Sequence, residues 1–404
     1  MDAPALLPAL AIGASILAAA GIGQAVAGLR AVRRFSRDLP PPITALPPLT
    51  LLKPLYGDEP LLEVALASVC AQDYPEFQIV CGVQDAADPA IAVVRRLQAR
   101  FAHRRIDLVI NPTQHGKNRK VSNLINMSGA ALHDVIVIAD SDLHCPPDYL
   151  RRIIAEFAVP NTGLVTTLYA ALAANTSLPA RLGATAINHG FLPGALMSRD
   201  LNREDCLGAT MALRRETLSA IGGLPALVDH LADDNVLGRL VRATGMRIRI
   251  ATTVPATTVP ESRLDQLFRH ELRWSRTILS LVPVAFALSS VQFPLFWAGL
   301  AIVLSGAAPW AAALFAAAWI ARAATAADID RHLGLVEAGR ATPVPSLLLP
   351  LRDLLSIAVI LASYASDRVE WRGQMMHTGA TNPSEPESSR QSQTELSSQG
   401  TVLS

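Results

Sequence analysis

The sequence predicts an α/β domain on a doubly wound sheet, carried between apolar helices at both ends of the chain. Three observations make that prediction. Short β-branched apolar runs alternate with amphipathic stretches from residue 49 to about 260, a pattern that reads as strand and helix in turn. One run, Val135-Ile136-Val137-Ile138-Ala139, ends in two carboxylates one residue apart, Asp140 and Asp142. Longer apolar stretches stand before and after this region, several of them near the length a bilayer requires.

Taken in order, residues 4–29 carry only Ser15 and Gln24 as polar side chains. Asp2 stands where a signal peptide carries Lys or Arg, so residues 1–30 are expected to be an uncleaved anchor. Arg30, Arg33, Arg34 and Arg37 follow, which by the positive-inside tendency sets the next segment on the cytoplasmic side. A multi-pass membrane protein with a cytosolic domain is the expectation. Pro40, Pro41, Pro42, Pro47 and Pro48 make 31–48 a stiff linker.

Residues 49–260 are enough to bury a core of their own. Strands are expected at 49–53, 77–83, 106–110 and 135–139, and helices at 60–70, 89–101 and 120–132. The run at 135–139 has no polar face, which suits a parallel strand covered on both sides. In such sheets ligands bind beyond the carboxyl ends of the strands, where Asp140 and Asp142 lie. Residues 261–281 set Leu264, Leu267, Phe268, Leu272 and Ile278 among Arg263, Arg269, His270, Arg273 and Arg276, the pattern of a helix lying on a membrane surface. Apolar stretches at 291–305, 309–327 and 346–364 make 282–366 a membrane region, with 282–290 a candidate re-entrant segment. The polar tail, 367–404, is expected to be disordered from about 379.

Composition narrows the function. Charged residues make up 17% of the chain, against roughly 25% in soluble domains, which again points to a membrane. The net charge of +1 gives no basic signal for nucleic acid. The four cysteines are scattered, so neither a zinc site nor a disulfide set is expected. No G-x-G-x-x-G follows a strand and no P-loop is present, which removes the dinucleotide and Walker-type readings.

Five places carry candidate chemistry. Asp140 and Asp142 read either as a surface turn or as a hard-cation site shared with substrate phosphates. Asp85 and Asp88 follow the strand at 77–83, with Asp88 a helix cap before Pro89. Gly116 to Asn123 open a helix with Lys117, Arg119 and Lys120, either a solvated basic turn or a phosphate site. Asp233 and Asp234 open the helix that runs to Thr244. The helix dipole favours acids there, and a carboxylate beside a bound substrate is also a natural general base. His270, Arg273 and Trp274 share one helix face.

The set is more specific than its members. An acid after the second strand (Gln84-Asp85), Asp-Ser-Asp after a later strand, Asp-Asp opening a helix, and Arg273-Trp274 just before membrane helices resemble family 2/21 glycosyltransferases with lipid acceptors. The chain is similar to ceramide glucosyltransferases, and closer still to their bacterial relatives in hopanoid synthesis. Supporting stretches are Lys120 to Leu124, Gly208 to Arg214, Leu231 to Asp234, Leu351-Arg352-Asp353 and Trp371-Arg372-Gly373.

The resemblance implies a GT-A nucleotide-sugar fold, a UDP-sugar donor, Mg2+ or Mn2+, inversion at the anomeric carbon and a membrane lipid acceptor. It implies that Asp85 and Lys120 hold the donor, that Asp140 and Asp142 hold the metal and diphosphate, and that Asp234 is the base. Arg273 and Trp274 would sit by the diphosphate and acceptor. His270 is implied as a donor-binding residue with them, although the family has Gln or Arg at that position. The implied reaction is N-acetylglucosamine transfer to a hopanoid polyol, with ceramide glucosylation as the alternative. Two other readings compete. A phosphatase using the first Asp of Asp-x-Asp meets Leu143 where such enzymes want Thr or Val. A non-catalytic membrane scaffold or transporter subunit lacks the internal symmetry typical of transporters.

Overall fold

The computed structural model of the chain describes residues 3–377, apart from 44, 340, 344, 367, 372 and 373. The tail expected to be disordered therefore lies outside the described residues. The chain opens with helix α1 (Ala3–Phe35) and then builds β1 (Leu49–Pro54), α2 (Leu62–Cys70), β2 (Phe77–Val83), α3 (Ala90–Arg100), β3 (Arg105–Ile110), α4 (Arg119–Ser128) and β4 (Val135–Ala139). Next come α5 (Tyr149–Glu156), β5 (Thr162–Thr167), β6 (Ala170–Ala173), α6 (Leu178–Ala186), a π-helical turn (Ile187–Phe191), α7 (Leu192–Asp200), β7 (Thr210–Arg214) and α8 (Arg215–Ala220). The domain closes with α9 (Asp233–Ala243), β8 (Arg247–Ala251) and β9 (Ala256–Val259).

Seven strands form one sheet in the order β3-β2-β1-β4-β7-β5-β8, and β6 pairs with β9 separately. Strands β1 to β4 are parallel, with Leu49 opposite Phe77 on one side and Val135 on the other. The sheet is mixed, because β7 runs antiparallel to both β4 and β5. The reason lies in the preceding helices. From β6 the chain leaves through α6 and α7, and α7 packs its Leu192 and Leu196 against Ala31, Val32 and Phe35 of α1. It re-enters at Thr210 beside Ala139, the carboxyl end of β4, so it must run backwards through the sheet.

Alternation along β4 fixes the two layers. Val135, Val137 and Ala139 face α2, α3 and α5 in one core. Ile136 and Ile138 face α4 and α9 in the other. Each such buried side chain contributes roughly 1.5–3 kcal/mol, so the strand is held from both faces and its carboxyl end is fixed. All four cysteines are free and buried.

Beyond the domain lie α10 (Leu264–Leu281), α11 (Pro283–Leu288), α12 (Pro294–Leu304), α13 (Pro309–Leu333), α14 (Leu349–Ser363) and a hairpin of β10 (Arg368–Trp371) and β11 (Gln374–His377). Among the described residues three helices are long and apolar enough to cross a membrane: Leu6–Phe35, Pro309–Leu333 and Ser346–Ser363. The pair Pro283–Gln292 and Pro294–Leu304 bends by 70° at its break, where Pro294 removes a helix donor. The anchor helix continues past the point where the linker was expected, because Arg33 pairs with Asp328 and Arg34 with Asp200 (3.2 Å).

Charged side chains also tie these helices together. Arg352 in α14 makes a two-pronged pair with Glu271 in α10 (2.7 Å each) and donates to the Leu182 carbonyl of α6 (3.3 Å). Asp353 accepts from Arg322 in α13 (3.1 Å) and from the Leu295 backbone N–H in α12 (3.1 Å). Two adjacent residues thus fasten four other helices.

Candidate functional site

The site is built at the carboxyl edge of the sheet. After β4 the chain turns sharply through Asp140-Ser141-Asp142, and the turn is pinned from several sides. Lys53, on β1 and wholly buried, donates from Nζ to the Asp140 carbonyl (2.6 Å). The Asp140 N–H reaches the Ala209 carbonyl (3.1 Å). Ser141 bonds Glu59. One oxygen of Asp142 accepts from the Thr257 hydroxyl and from the Thr258 N–H (3.2 Å), both on β9. His144 extends this seam through Thr258 Oγ1 (2.9 Å), and burial, with Lys53 nearby, lowers its pKa to about 4.

A second group of acids arrives from α9. Asn118 brings them close. Its Oδ1 caps α4 by accepting from the Val121 N–H (3.0 Å), while its Nδ2 donates to the His230 carbonyl (2.8 Å) and to Asp233 (3.4 Å). The start of α4 is thereby tied to the start of α9. Lys120, in the first turn of α4, then lies between the two groups, 2.7 Å from Asp140 Oδ1 and 4.0 Å from Asp233 Oδ2. Burial alone would lower the pKa of this ammonium. Asp140 and then Asp233 more than offset that and hold it above its ordinary value.

The carboxylates respond in the opposite sense. Burial raises Asp142, and the charge of Asp140 raises it further. Burial likewise raises Asp233, with Lys120 pulling against it. Asp234 is pushed up to about 6, first by burial and then by the adjacent Asp233 charge. Its carboxylate approaches the backbone so closely that a Cβ at Gly208 would lie 2.8 Å from Oδ2, and only glycine leaves that space.

Oxygen ligands of this kind suit a hard divalent cation. Asp140 and Asp142 repel each other across one residue, and the raised pKa of Asp142, after burial, records that repulsion. Among the described residues no group of three or more His, Cys, Asp or Glu is arranged to hold a metal. An ion here would complete its shell with water and substrate phosphate, as Mg2+ characteristically does.

The remaining residues singled out by sequence are spread along the same side. Asp85 is exposed at the end of β2 and accepts from the Ala87 N–H (2.8 Å). Asp88 does cap α3, through the Ala90 N–H (2.9 Å), and also holds the Gly57 N–H (2.9 Å). His270 bonds Glu261 and meets Trp274 edge-on at 4.6 Å between ring centres. That bond holds the Glu261 carboxyl below its ordinary value, although burial works the other way, and Arg273 adds to the effect. Trp274 shares an apolar cluster with Tyr169, a residue the sequence reading missed. Tyr169, Phe191 and Trp274 pack on one apolar cluster, and the Tyr169 hydroxyl feels Asp234, Asp140 and Asp142. Lys53 was also missed, although a lone lysine inside a buried strand is a usable signal, since lysine is almost never buried unpartnered.

The sequence profile of Glycosyl transferase family 21 matches residues 13–382. The chain belongs to glycosyl transferase family 21. This family 21 chain is 33% identical over 128 residues to a ceramide glucosyltransferase from Komagataella phaffii, covering 30% of this chain and 24% of that protein. It is 21% identical over 262 residues to ceramide glucosyltransferase 1 of Caenorhabditis elegans, covering 62% and 54%. It is 26% identical over 244 residues to an N-acetylglucosaminyltransferase of Rhizobium meliloti, covering 57% and 56%. The family 21 chain thus spans about half, or less, of the length of these curated relatives. Among solved structures it is similar to the mannosyltransferase PcManGT from Pyrobaculum calidifontis in complex with GDP-Man and Mn2+. That likeness has a TM-score of 0.48 and 21% identity, over 89% of this chain and 99% of the other.

Proposed function

We propose that this family 21 chain is a membrane-bound inverting glycosyltransferase that moves a sugar from a UDP-sugar to a lipid hydroxyl, its GT-A domain facing the cytosol at the bacterial inner membrane. The observation that carries the reading is the partly buried carboxylate cluster at the sheet edge. Asp140 and Asp233 share Lys120, and Asp234, next to Asp233 in the chain, has its pKa pushed up to about 6. A lipid hydroxyl ionises far above neutral pH, so it needs a base beside it as it attacks, and Asp234 takes that part.

Asp140 and Asp142 would hold Mg2+ or Mn2+, which supplies Lewis-acid stabilisation of the departing diphosphate. Lys120 neutralises the same region from within the protein. Asp85 binds the nucleotide, and Arg273 with Trp274 border the diphosphate and acceptor. His270 is withdrawn from the diphosphate in this reading, because Glu261 engages its ring. Groups that stabilise charge only as it develops accelerate the step.

The finer reading is N-acetylglucosamine transfer to a hopanoid polyol. The ceramide glucosyltransferases among the relatives supply a second, glucose transfer to ceramide. Membranes containing the protein, incubated with labelled UDP-glucose or UDP-N-acetylglucosamine and each lipid, separate these by mass spectrometry of the product. Absence of any glycolipid and of any released UDP would reject both and leave a scaffold.

Two further outcomes are expected. Asp140→Asn weakens Mn2+-dependent binding of the UDP-sugar by tenfold or more, read by titration calorimetry, because one of two charged oxygen ligands becomes a neutral amide. The pH profile of kcat/KM has an acid limb at about 6. The base works only when deprotonated, so activity falls as pH drops through that value and levels off above it. An Asp234→Asn enzyme with the same limb would assign it elsewhere.

A further inference from the structure

A cavity outside the carboxylate cluster lies between α1, the π-helical turn with α7, and α13. It leaves about 30 Å³ for the centre of a water-sized group, more than the roughly 10–15 Å³ that one water requires. Gln24, Gly190 and Gly194 on its wall are only half-buried. A Cβ added at Gly190 or Gly194 would meet nothing within 4 Å, so these two glycines, about one helical turn apart, keep that side open.

Two buried side chains line the cavity, and each keeps one polar atom unmatched. His189 is 3% exposed, and its Nε2 lies 2.8 Å from Asp330 Oδ1. A carboxylate only accepts, so in the neutral ring the hydrogen is on Nε2 and Nδ1 keeps a lone pair. Arg322 is 6% exposed. Its Nη1 donates to the His189 carbonyl (3.1 Å) and its Nη2 to Asp353 (3.1 Å). Among the described residues His189 Nδ1 and Arg322 Nε have no hydrogen-bond partner, and buried polar atoms are rarely left so. The π-helical turn that carries His189 is itself a rare element, found mostly at functional sites.

One of the two atoms accepts and the other donates. An alcohol hydroxyl supplies the same pair in reverse. A phosphate does not fit: Arg322 already faces Asp353, and His189 faces Asp330 and offers only a lone pair. We propose that this cavity binds the uncharged hydroxyl of a neutral lipid, which accepts from Arg322 Nε and donates to His189 Nδ1. The walls point to a lipid. Helices α1 and α13 are both long and apolar enough to cross a membrane, and Ala25, Met197, Phe293 and Ile329 add an apolar lining. A bound water matches the two polar atoms but gains nothing from those side chains. The site shares no residue with the carboxylate cluster, so it does not depend on the sugar-transfer reading.

The test is native mass spectrometry of the full-length protein in detergent, with dioleoylglycerol, its methyl ether and dioleoyl phosphatidate as probes. Dioleoylglycerol should saturate at one per protein. The ether still accepts but has no O–H to donate, so it should bind about tenfold more weakly, the worth of one hydrogen bond. Phosphatidate should bind no better than the ether. His189→Phe keeps a ring and removes the acceptor, so the alcohol should lose its advantage over the ether. Gly194→Leu fills the open side and should abolish saturable binding. Leucine forms helix better than glycine, so α7 should persist, which melting curves check. Equal binding of alcohol and ether by the parent protein overturns the assignment, as does tighter binding of phosphatidate. A folded parent protein that shows no saturable binding of dioleoylglycerol holds a water only, and that also overturns it. A folded His189→Phe variant that keeps the full preference for the alcohol removes His189 from the site.

Discussion

Asp234→Asn is expected to lower kcat by about 10²–10⁴-fold, the usual contribution of a positioned general base, while UDP-sugar binding stays largely intact. Asparagine keeps the shape and the Asn235 N–H contact (2.7 Å) but cannot accept the acceptor's proton. The variant should also be more stable than the parent at neutral pH. The folded-state pKa of Asp234 is raised to about 6 from an ordinary 3.8. A raised carboxyl pKa means that its charge opposes folding. The penalty is absent below the unfolded pKa, grows as pH rises from about 4 to 6, and is complete above that window. The gain in melting temperature for Asp234→Asn should therefore be larger at pH 8 than at pH 4. Normal turnover would remove Asp234 from the mechanism. A variant with lower stability at pH 8 would contradict the electrostatic account of the cluster.

The second large effect is structural. Arg352→Met should destabilise the folded protein by about 3–5 kcal/mol, the range for removing one partner of a buried ion pair. Arg352 is 2% exposed, and its loss strands the Glu271 carboxylate between helices α10 and α14. The double variant Arg352→Met/Glu271→Met should recover most of that loss, because no uncompensated charge remains. Thermal unfolding in one detergent provides the comparison. A double variant no better than the single one would show that the pair itself is not what holds α10. The consequence reaches the site, since α10 carries His270, Arg273 and Trp274 along with Glu271. A tilted α10 should raise KM for the lipid before it changes donor binding.

Much of this was legible in the sequence for local reasons. An apolar run such as 135–139 has few alternatives to a buried strand, and Asp140 must follow it at the strand's end. Asp233 and Asp234 suit a helix N-terminus on dipole grounds. Helix and strand boundaries moved by small amounts. The helix expected to reach residue 132 stops at Ser128, because Gly129 and the turn into β4 end it. The direction of β7 was not legible. It depends on where α6 and α7 deliver the chain, which depends on their packing against α1. Nor was the role of Arg352-Asp353 legible, because Arg352 meets Glu271 across 81 residues of chain.

By itself the sequence determined which residues are strand ends, which helices are apolar enough for a bilayer, and which carboxylates stand at element termini. Those properties follow from side-chain period, volume and charge within a few residues of each position. Tertiary structure alone decided that Lys120 lies between Asp140 and Asp233, that Lys53 sits beneath the Asp140 turn, and that Tyr169 and Trp274 pack on one apolar cluster. Such pairings depend on distances between remote segments, and those distances are set by packing around a common core.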